Sequence, residues 1–422
     1  MIKKILIILI TILILAIIGI GGFYFFYPKD QVSHDDFSGS KTGFIFGIFG
    51  GGDENTGDEI GSSTPITIGD ERPLMKLRKI SDTPTAGFVV FENKDKETMI
   101  RYTEKATGHV FEANTKNSTT ERVSNTTIPR IQDAIWVNKD SSVLRYLDDD
   151  GTIRSFYAKV VENKSESETD AEGKIEGVFL RDSIADLIPY GSDKILSFMV
   201  GENSSNLVVS DLNGGNGFEI FNSSFKDWLV QKPKQGIVAL NTKPASVSNG
   251  YLYFLNTNNG SLDKILGGFA GMTSLVSPDA EKVIYAENIS NSVYFIDENK
   301  TEELVISTLP EKCVWNNDST IIYCGVPKTF SKSEYPDSWY QGIISFSDNI
   351  FEVNVVEGYE IALISPEKFS GEPVDVIKPA LDLKNEFLFF VNKKDLSLWS
   401  LDLRSSSTTS SEEIIGDGEI SE

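Results

Sequence analysis

Short apolar runs, each bounded by a polar turn, recur along the chain from about residue 85 to residue 403. The clearest unit begins with the turn Ser277-Pro278-Asp279-Ala280-Glu281-Lys282. It continues through Val283-Ile284-Tyr285 and a second turn into Val293-Tyr294-Phe295-Ile296-Asp297. Runs this short, rich in β-branched and aromatic residues and punctuated by Pro, Asp, Asn and Gly, read as strands joined by tight turns. Weaker copies follow the same plan. Ala134-Ile135-Trp136-Val137 turns at Asp140-Ser141 into Val143-Leu144-Arg145-Tyr146, Gly191-Ser192-Asp193 opens Ile195-Leu196-Ser197-Phe198, and Asn385 precedes Phe387-Leu388-Phe389-Phe390-Val391. Few helical stretches interrupt the series, and residues 183–188 form one too short to matter.

Turn markers fall near Gly87, Asp140, Asp193, Asn249, Asp279, Asp318 and Asn385, at spacings of 53, 53, 56, 30, 39 and 67 residues. A four-stranded propeller blade takes about 40–50 residues. The pattern therefore predicts an all-β chain folded as a seven-bladed β-propeller over residues 73–403. The spacing of 30 implies a stripped-down blade or a count off by one, and the spacing of 67 contains an insertion after Cys324. Leu74-Met75-Lys76-Leu77-Arg78-Lys79-Ile80 alternates apolar and basic residues and reads as a strand. The last unit lacks a fourth strand, so this segment is expected to complete it and protect an open edge. The alternative is an edge strand of the first unit.

The unit at 277–297 resembles the WD40-like (PD40) repeat of TolB-type β-propellers, in which S-P-D-G leads to an aromatic and a second strand ends in aspartate. Ala280 stands where that glycine would be. The units running from Trp136 to Tyr146 and from Trp315 to Tyr323 look similar, with Asp140-Ser141 and Asp318-Ser319 at their turns. The resemblance implies a propeller, and a fold of this kind implies no activity. The whole chain is similar to single-anchor propeller proteins of small-genome bacteria.

Ahead of the repeats, Lys3 and Lys4 precede an apolar run at residues 5–27 that ends in Phe23-Tyr24-Phe25-Phe26-Tyr27. Its 23 residues exceed the roughly 20 needed to cross a bilayer as a helix. Residues 1–27 thus read as a transmembrane signal anchor, N-terminus inside and body outside, with an aromatic belt at one boundary. A cleaved signal peptide is the alternative. Residues 28–72, rich in Gly, Ser and acidic residues, read as a flexible linker interrupted by Phe44-Ile45-Phe46-Gly47-Ile48-Phe49. Residues 404–422 read as a disordered acidic tail.

Composition narrows the chemistry. The net charge of −23 and the absence of a basic patch disfavour nucleic acid. Only two histidines are present, His34 in the linker and His109, so any His-based triad or zinc site depends on His109. Cys313 and Cys324 flank the turn at 317–320 symmetrically and are expected to face each other across a hairpin, close enough for a disulfide. Within the insertion, Tyr335, Asp337, Trp339 and Tyr340 form an aromatic, proline-containing loop of the kind that recognises a partner. In the alternative, the loop folds back as a plug and its aromatics pack inward. The segments 211–217 and 256–260 resemble calcium loops with Asn in place of Asp and read as plain turns. No metal site or cofactor is assigned, and Ca²⁺ in the tunnel or at residues 148–150 stays open as an alternative. The expected role is a membrane-anchored, extracytoplasmic scaffold that binds an envelope protein, a peptide or a glycan. A carboxylate-dependent glycoside hydrolase is the alternative.

Overall fold

The computed structural model describes residues 76–116, 120–161 and 173–404. Its strands form seven four-stranded antiparallel sheets, the blades of a β-propeller. Blades 1 to 6 are simple meanders in chain order. Their first, innermost strands are Thr85–Glu92, Ile131–Asn138, Ile184–Pro189, Trp228–Lys234, Thr273–Val276 and Cys313–Trp315. Blade 7 takes Val376–Leu381, Phe387–Asn392 and Leu398–Asp402 from the end of the repeats and Leu77–Lys79 from their beginning. Leu77 pairs with Leu401 and Lys79 with Trp399, so the N-terminal strand closes the ring and covers the edge of the last sheet.

The middle strands of blade 7 are covered on both faces, and this explains their composition. Phe387, Phe389 and Val391 pack with Ile100 and Tyr102 of blade 1, while Leu388 and Phe390 pack with Tyr323 and Ile350 of blade 6. Side chains alternate between faces, so a strand buried on both sides reads as an unbroken apolar run. One hydrophobic cluster lies between each neighbouring pair of blades. Blades 1 and 2 approach closely where Gly87 meets Ala134. A Cβ on Gly87 would lie 1.8 Å from the Ala134 carbonyl oxygen.

Five of the seven turn markers lie at the turn between the first and second strands of a blade. Gly87 and Asn249 do not. Gly87 is inside the first strand of blade 1, whose turn is at 93–97, and Asn249 opens the third strand of blade 4, whose first turn follows Lys234. The short spacing of 30 thus came from a marker half a blade out of phase, and blade 4 is complete. Residues 183–188 are not helical. Ile184–Pro189 is the innermost strand of blade 3, because pairing with Lys194–Val200 supplies its hydrogen bonds. The 211–217 and 256–260 segments are turns closed by Asn side chains, Asn213 Oδ1 accepting from Gly215 N and Asn256 Oδ1 from Asn258 N. The expected anchor, the linker at 28–72 and the tail from 405 onward lie outside the described residues. Among the described residues no helix is long and apolar enough to cross a membrane.

Candidate functional site: a capped face of the propeller

In an antiparallel meander, the loop joining strands two and three lies on the same face as the start of strand one. We call this the leading face. Here blade 6 carries residues 328–347, inserted between Ile321–Pro327 and Asp348–Asn354. The insertion lies against the leading-face loops of blades 4, 5 and 7. Asp337 Oδ2 accepts a 2.8 Å bond from Ser246 N of blade 4. Lys393 of blade 7 donates to the Trp339 carbonyl oxygen and holds its ammonium 4.1 Å from the Trp339 ring centre. At Gly271, between blades 4 and 5, a Cβ would lie 2.9 Å from the Tyr335 carbonyl oxygen, so the missing side chain lets the loop seat. Tyr335, Trp339 and Phe346 form a small core of their own with Leu309, with Phe330 and Ile289 packed against it. Phe330 meets Tyr335 edge-on at 5.8 Å, and Tyr335 stacks on Phe346. The insertion is a cap with its aromatics turned inward.

Beneath it lies a buried ion cluster. Lys312 ends the 3₁₀ turn Pro310–Lys312, immediately before Cys313, and its side chain is fully buried. Its ammonium bonds Asp348 Oδ2 at 2.8 Å, Asp375 Oδ1, and the Val376 carbonyl at 3.2 Å. It also lies 5.2 Å from the Trp339 and Phe346 ring centres. Asp375 Oδ2 accepts from Trp339 Nε1 at 3.0 Å, Ser345 Oγ at 3.0 Å and Phe346 N at 3.0 Å. One carboxylate therefore ties the cap to the buried lysine. Burial favours the neutral form of Asp375, but the Lys312 charge and these donors outweigh it and hold the group below the usual carboxylate range. Asp348 goes the other way. Burial, helped by the Asp375 charge and opposed by Lys312, pushes it up to about 6. Its Oδ2 takes the Val376 N–H at 2.7 Å, while its buried Oδ1 has no partner. Gly325 makes room, since a Cβ there would lie 2.9 Å from Asp348 Oδ2.

The four loop residues singled out from the sequence divide. Tyr335 and Trp339 are buried in the cap, Asp337 is half-buried on Ser246, and Tyr340 is 39% exposed with its hydroxyl on Glu311. None but Tyr340 offers an open ring for stacking. Cys313 and Cys324 face each other as paired residues, joined by a bond of 2.07 Å, with Cα atoms 4.1 Å apart on the side facing blade 5. Lys312, Asp348 and Asp375 escaped the sequence reading. No spacing signal links residues so far apart, although a lysine abutting a strand otherwise wholly apolar was a visible oddity.

Two further features share the leading face. A pocket of about 490 Å³ opens between the cap segment 330–335 and the loops of blades 4 and 5, and Val247 stands 86% exposed beside it. Near the axis, Lys378 bonds the Ala86 carbonyl and pairs with Asp133. Asp186 is the equivalent residue one blade on from Asp133, each placed by a bulge at the start of an innermost strand. Burial raises Asp186 above the usual range; the bond from Leu187 N and the Arg145 charge oppose it, and the Asp133 charge adds to it. The two side chains are 36% and 46% exposed. Among the described residues no cluster of His, Cys, Asp or Glu has the make-up of a metal site.

No protein-family model matches the chain, and no curated protein matches it. Solved structures with a similar arrangement include TolB from Acinetobacter baumannii, at 10% identity and a TM-score of 0.37, over 74% of this chain and 62% of that one. Another is the Cps50 (Swd1) β-propeller domain of Myceliophteria thermophila, at 7% identity and a TM-score of 0.47, over 78% of this chain and 99% of that one. The tricorn protease matches at 14% identity and a TM-score of 0.36, and this chain spans 33% of its length. The sheet order and ring closure, rather than these distant likenesses, establish the fold.

Proposed function

We propose that this protein is a recognition scaffold whose capped leading face binds another protein or a peptide. The observation that carries this reading is the cap itself. Twenty residues, 328–347, are inserted into one blade, anchored by a buried ion cluster, and used to wall a pocket rather than to fill one. Loops fixed on a rigid scaffold are where binding residues concentrate. The face also presents apolar side chains that the fold does not use, Val247 at 86% and Ile343 at 69% exposure. In the same reading, residues 5–27 anchor the body outside the cytoplasmic membrane. The apolar run with its two preceding lysines supports this orientation, and a Cys313–Cys324 disulfide suits an oxidising compartment. An envelope protein is the natural partner, and a glycan is the less favoured ligand.

The alternative is a carboxylate-dependent hydrolase. Asp348 and Asp375 do not support it, being fully buried and ion-paired to one lysine. Asp133 and Asp186 favour it more: Asp133 pairs with Lys378 and Asp186 lies 3.9 Å from Arg145, but both are partly exposed near the axis and Asp186 is shifted toward a proton-holding form. Pull-down from native envelope with the full chain, in parallel with a Val247→Glu/Ile343→Asp variant, separates the readings. A partner retained by the unaltered chain and lost by the variant is expected. Hydrolysis of a glycan panel that disappears in Asp186→Asn, with no such partner, would replace the scaffold with the hydrolase. Protease accessibility of the body in intact spheroplasts tests the orientation; protection would remove the external location.

A further inference from the structure

We propose that the ion cluster under the cap is a self-modification site, where Lys312 Nζ and the Asp348 side chain lose water and form an isopeptide bond. The bond fixes the trailing stem of the cap to the start of blade 6. The reacting groups are already in place. Lys312 and Asp348 are both fully buried, and Nζ lies 2.8 Å from Asp348 Oδ2. The rings of Trp339 and Phe346, each 5.2 Å from Nζ, wall the site with apolar surface. Asp375, a second buried carboxylate, holds the same nitrogen. Groups fixed in a reactive geometry behave as if at very high concentration, with effective molarities of about 10⁵–10⁸ M. A buried ion pair also carries the desolvation cost of two charges, which a neutral amide does not.

The two carboxylates differ, and the difference decides which one reacts. Both oxygens of Asp375 are occupied, Oδ1 by Lys312 and Trp339 Nε1, Oδ2 by Trp339 Nε1, Ser345 Oγ and Phe346 N. Asp348 holds Lys312 and the Val376 N–H on Oδ2 alone, and its buried Oδ1 has no partner. Oδ1 is therefore the oxygen free to leave. Oδ2 stays, and the Val376 N–H steadies the negative charge that grows on it. In the reaction, one ammonium proton passes to Asp348, whose burial favours the proton-holding form. Nζ adds to Cγ and the N–C bond forms. Asp375 takes a second proton from the nitrogen and passes it to the Oδ1 hydroxyl; the Cγ–Oδ1 bond breaks and water leaves. Of the three ammonium protons, one stays on the amide nitrogen and two depart in the water, and Asp375 is again a carboxylate. The product N–H faces Asp375 and the product carbonyl keeps the Val376 N–H, so the orphaned oxygen is gone. The ion-paired chain is the precursor, and the titration of Asp348 belongs to it; the condensed chain has no carboxyl at that position.

The test is a tryptic map of the full chain, purified in detergent, then reduced and unfolded before digestion. An unreacted lysine is cleaved at 312. A condensed one resists cleavage and leaves residues 301–328 joined to residues 333–368, lighter than their sum by one water, about 18 Da. Cys313 and Cys324 both lie within 301–328, so the disulfide cannot imitate the link. The joined pair is expected in most of the chain, with fragmentation placing the bond on Asp348. It is expected to be absent from Lys312→Arg, and from chain dissolved in urea and never folded, because the reaction needs the assembled cluster. Complete cleavage at Lys312 in the folded chain, with no joined pair, would overturn the proposal and leave an ordinary ion pair. A link from 301–328 to 369–384 would place the bond on Asp375 and overturn Asp348 as the reacting carboxyl. Both results come from the unaltered chain, so neither depends on a variant folding, and neither touches the scaffold reading.

Discussion

Asp348 and Asp375 share one lysine and differ in what else they hold. Asp375 accepts three hydrogen bonds from the cap besides the lysine, whereas Asp348 keeps one oxygen unpartnered. Asparagine at 375 turns an acceptor into a donor that faces other donors. Asp375→Asn is therefore expected to cost about 3–5 kcal/mol, the scale for breaking a buried ion pair. Asp348→Asn should cost clearly less at neutral pH, because an amide oxygen still takes the Val376 N–H and a poorly solvated charge is removed. Urea unfolding of both variants checks the order. The pH dependence has a definite sign. Asp348 titrates near 6 in the folded chain against 3.8 ordinarily, so the folded state binds the extra proton between those values. Its contribution favours folding as pH falls through that window and is lost as pH rises through 6. Asp375, shifted down, contributes above its ordinary value and loses that contribution in stronger acid. Between pH 7 and pH 5 the unaltered chain should thus gain stability relative to Asp348→Asn. An unchanged difference across that range would contradict the assignment.

Among the elements, the innermost strands are the least tolerant. Gly87 cannot carry a side chain without pushing blade 1 off the Ala134 backbone. Gly87→Ala is expected to cost about 1–3 kcal/mol or more, the range for overpacking. Gly151→Ala, at an open turn with φ of +82°, should cost about 1 kcal/mol from backbone strain alone. The contrast, measured by thermal unfolding, separates packing from conformational strain. The strand Cys313–Trp315 is only three residues long and presents Lys312 to the cap. Its disulfide closes a short hairpin loop, and Cys313→Ser/Cys324→Ser should lower stability by about 2–3 kcal/mol. Limited proteolysis should show new cleavage at 328–347, because the cap loses the strand that positions its lysine.

For the whole propeller, a three-residue strand and the backbone bonds flanking it join the start of the repeats to blade 7. Leu77 is buried against blade 7, and Leu77–Lys79 covers the edge of Leu398–Asp402. Deleting residues 76–80 is expected to leave that edge unpaired and apolar, producing self-association visible by size-exclusion chromatography. Amide exchange should rise first in blades 7 and 1, the two sheets that closure holds together. A monomer with unchanged exchange would show that the ring is held by inter-blade packing alone.

The hairpins, their number and the joining of residues 74–80 to the last repeat were legible in the sequence because they depend on short-range alternation and turn chemistry. The register that sets Cys313 against Cys324 follows from the turn between them, and the alternation at residues 74–80 marked the closing strand. Phase within a blade was less legible. Asn249 and Gly87 carry the residue types of a turn but begin or bend a strand, since polar and glycine positions serve bulges as well as turns. The ion cluster was decided by tertiary structure alone. Lys312 meets Asp375 across 63 residues, and which charged groups converge under a loop depends on how blades stack around an axis. The direction of the cap was open for the same reason. Tyr335, Trp339 and Tyr340 look alike in sequence, and only the shape of the leading face, with glycine at 271 and a buried carboxylate at 375, determined which rings turned inward.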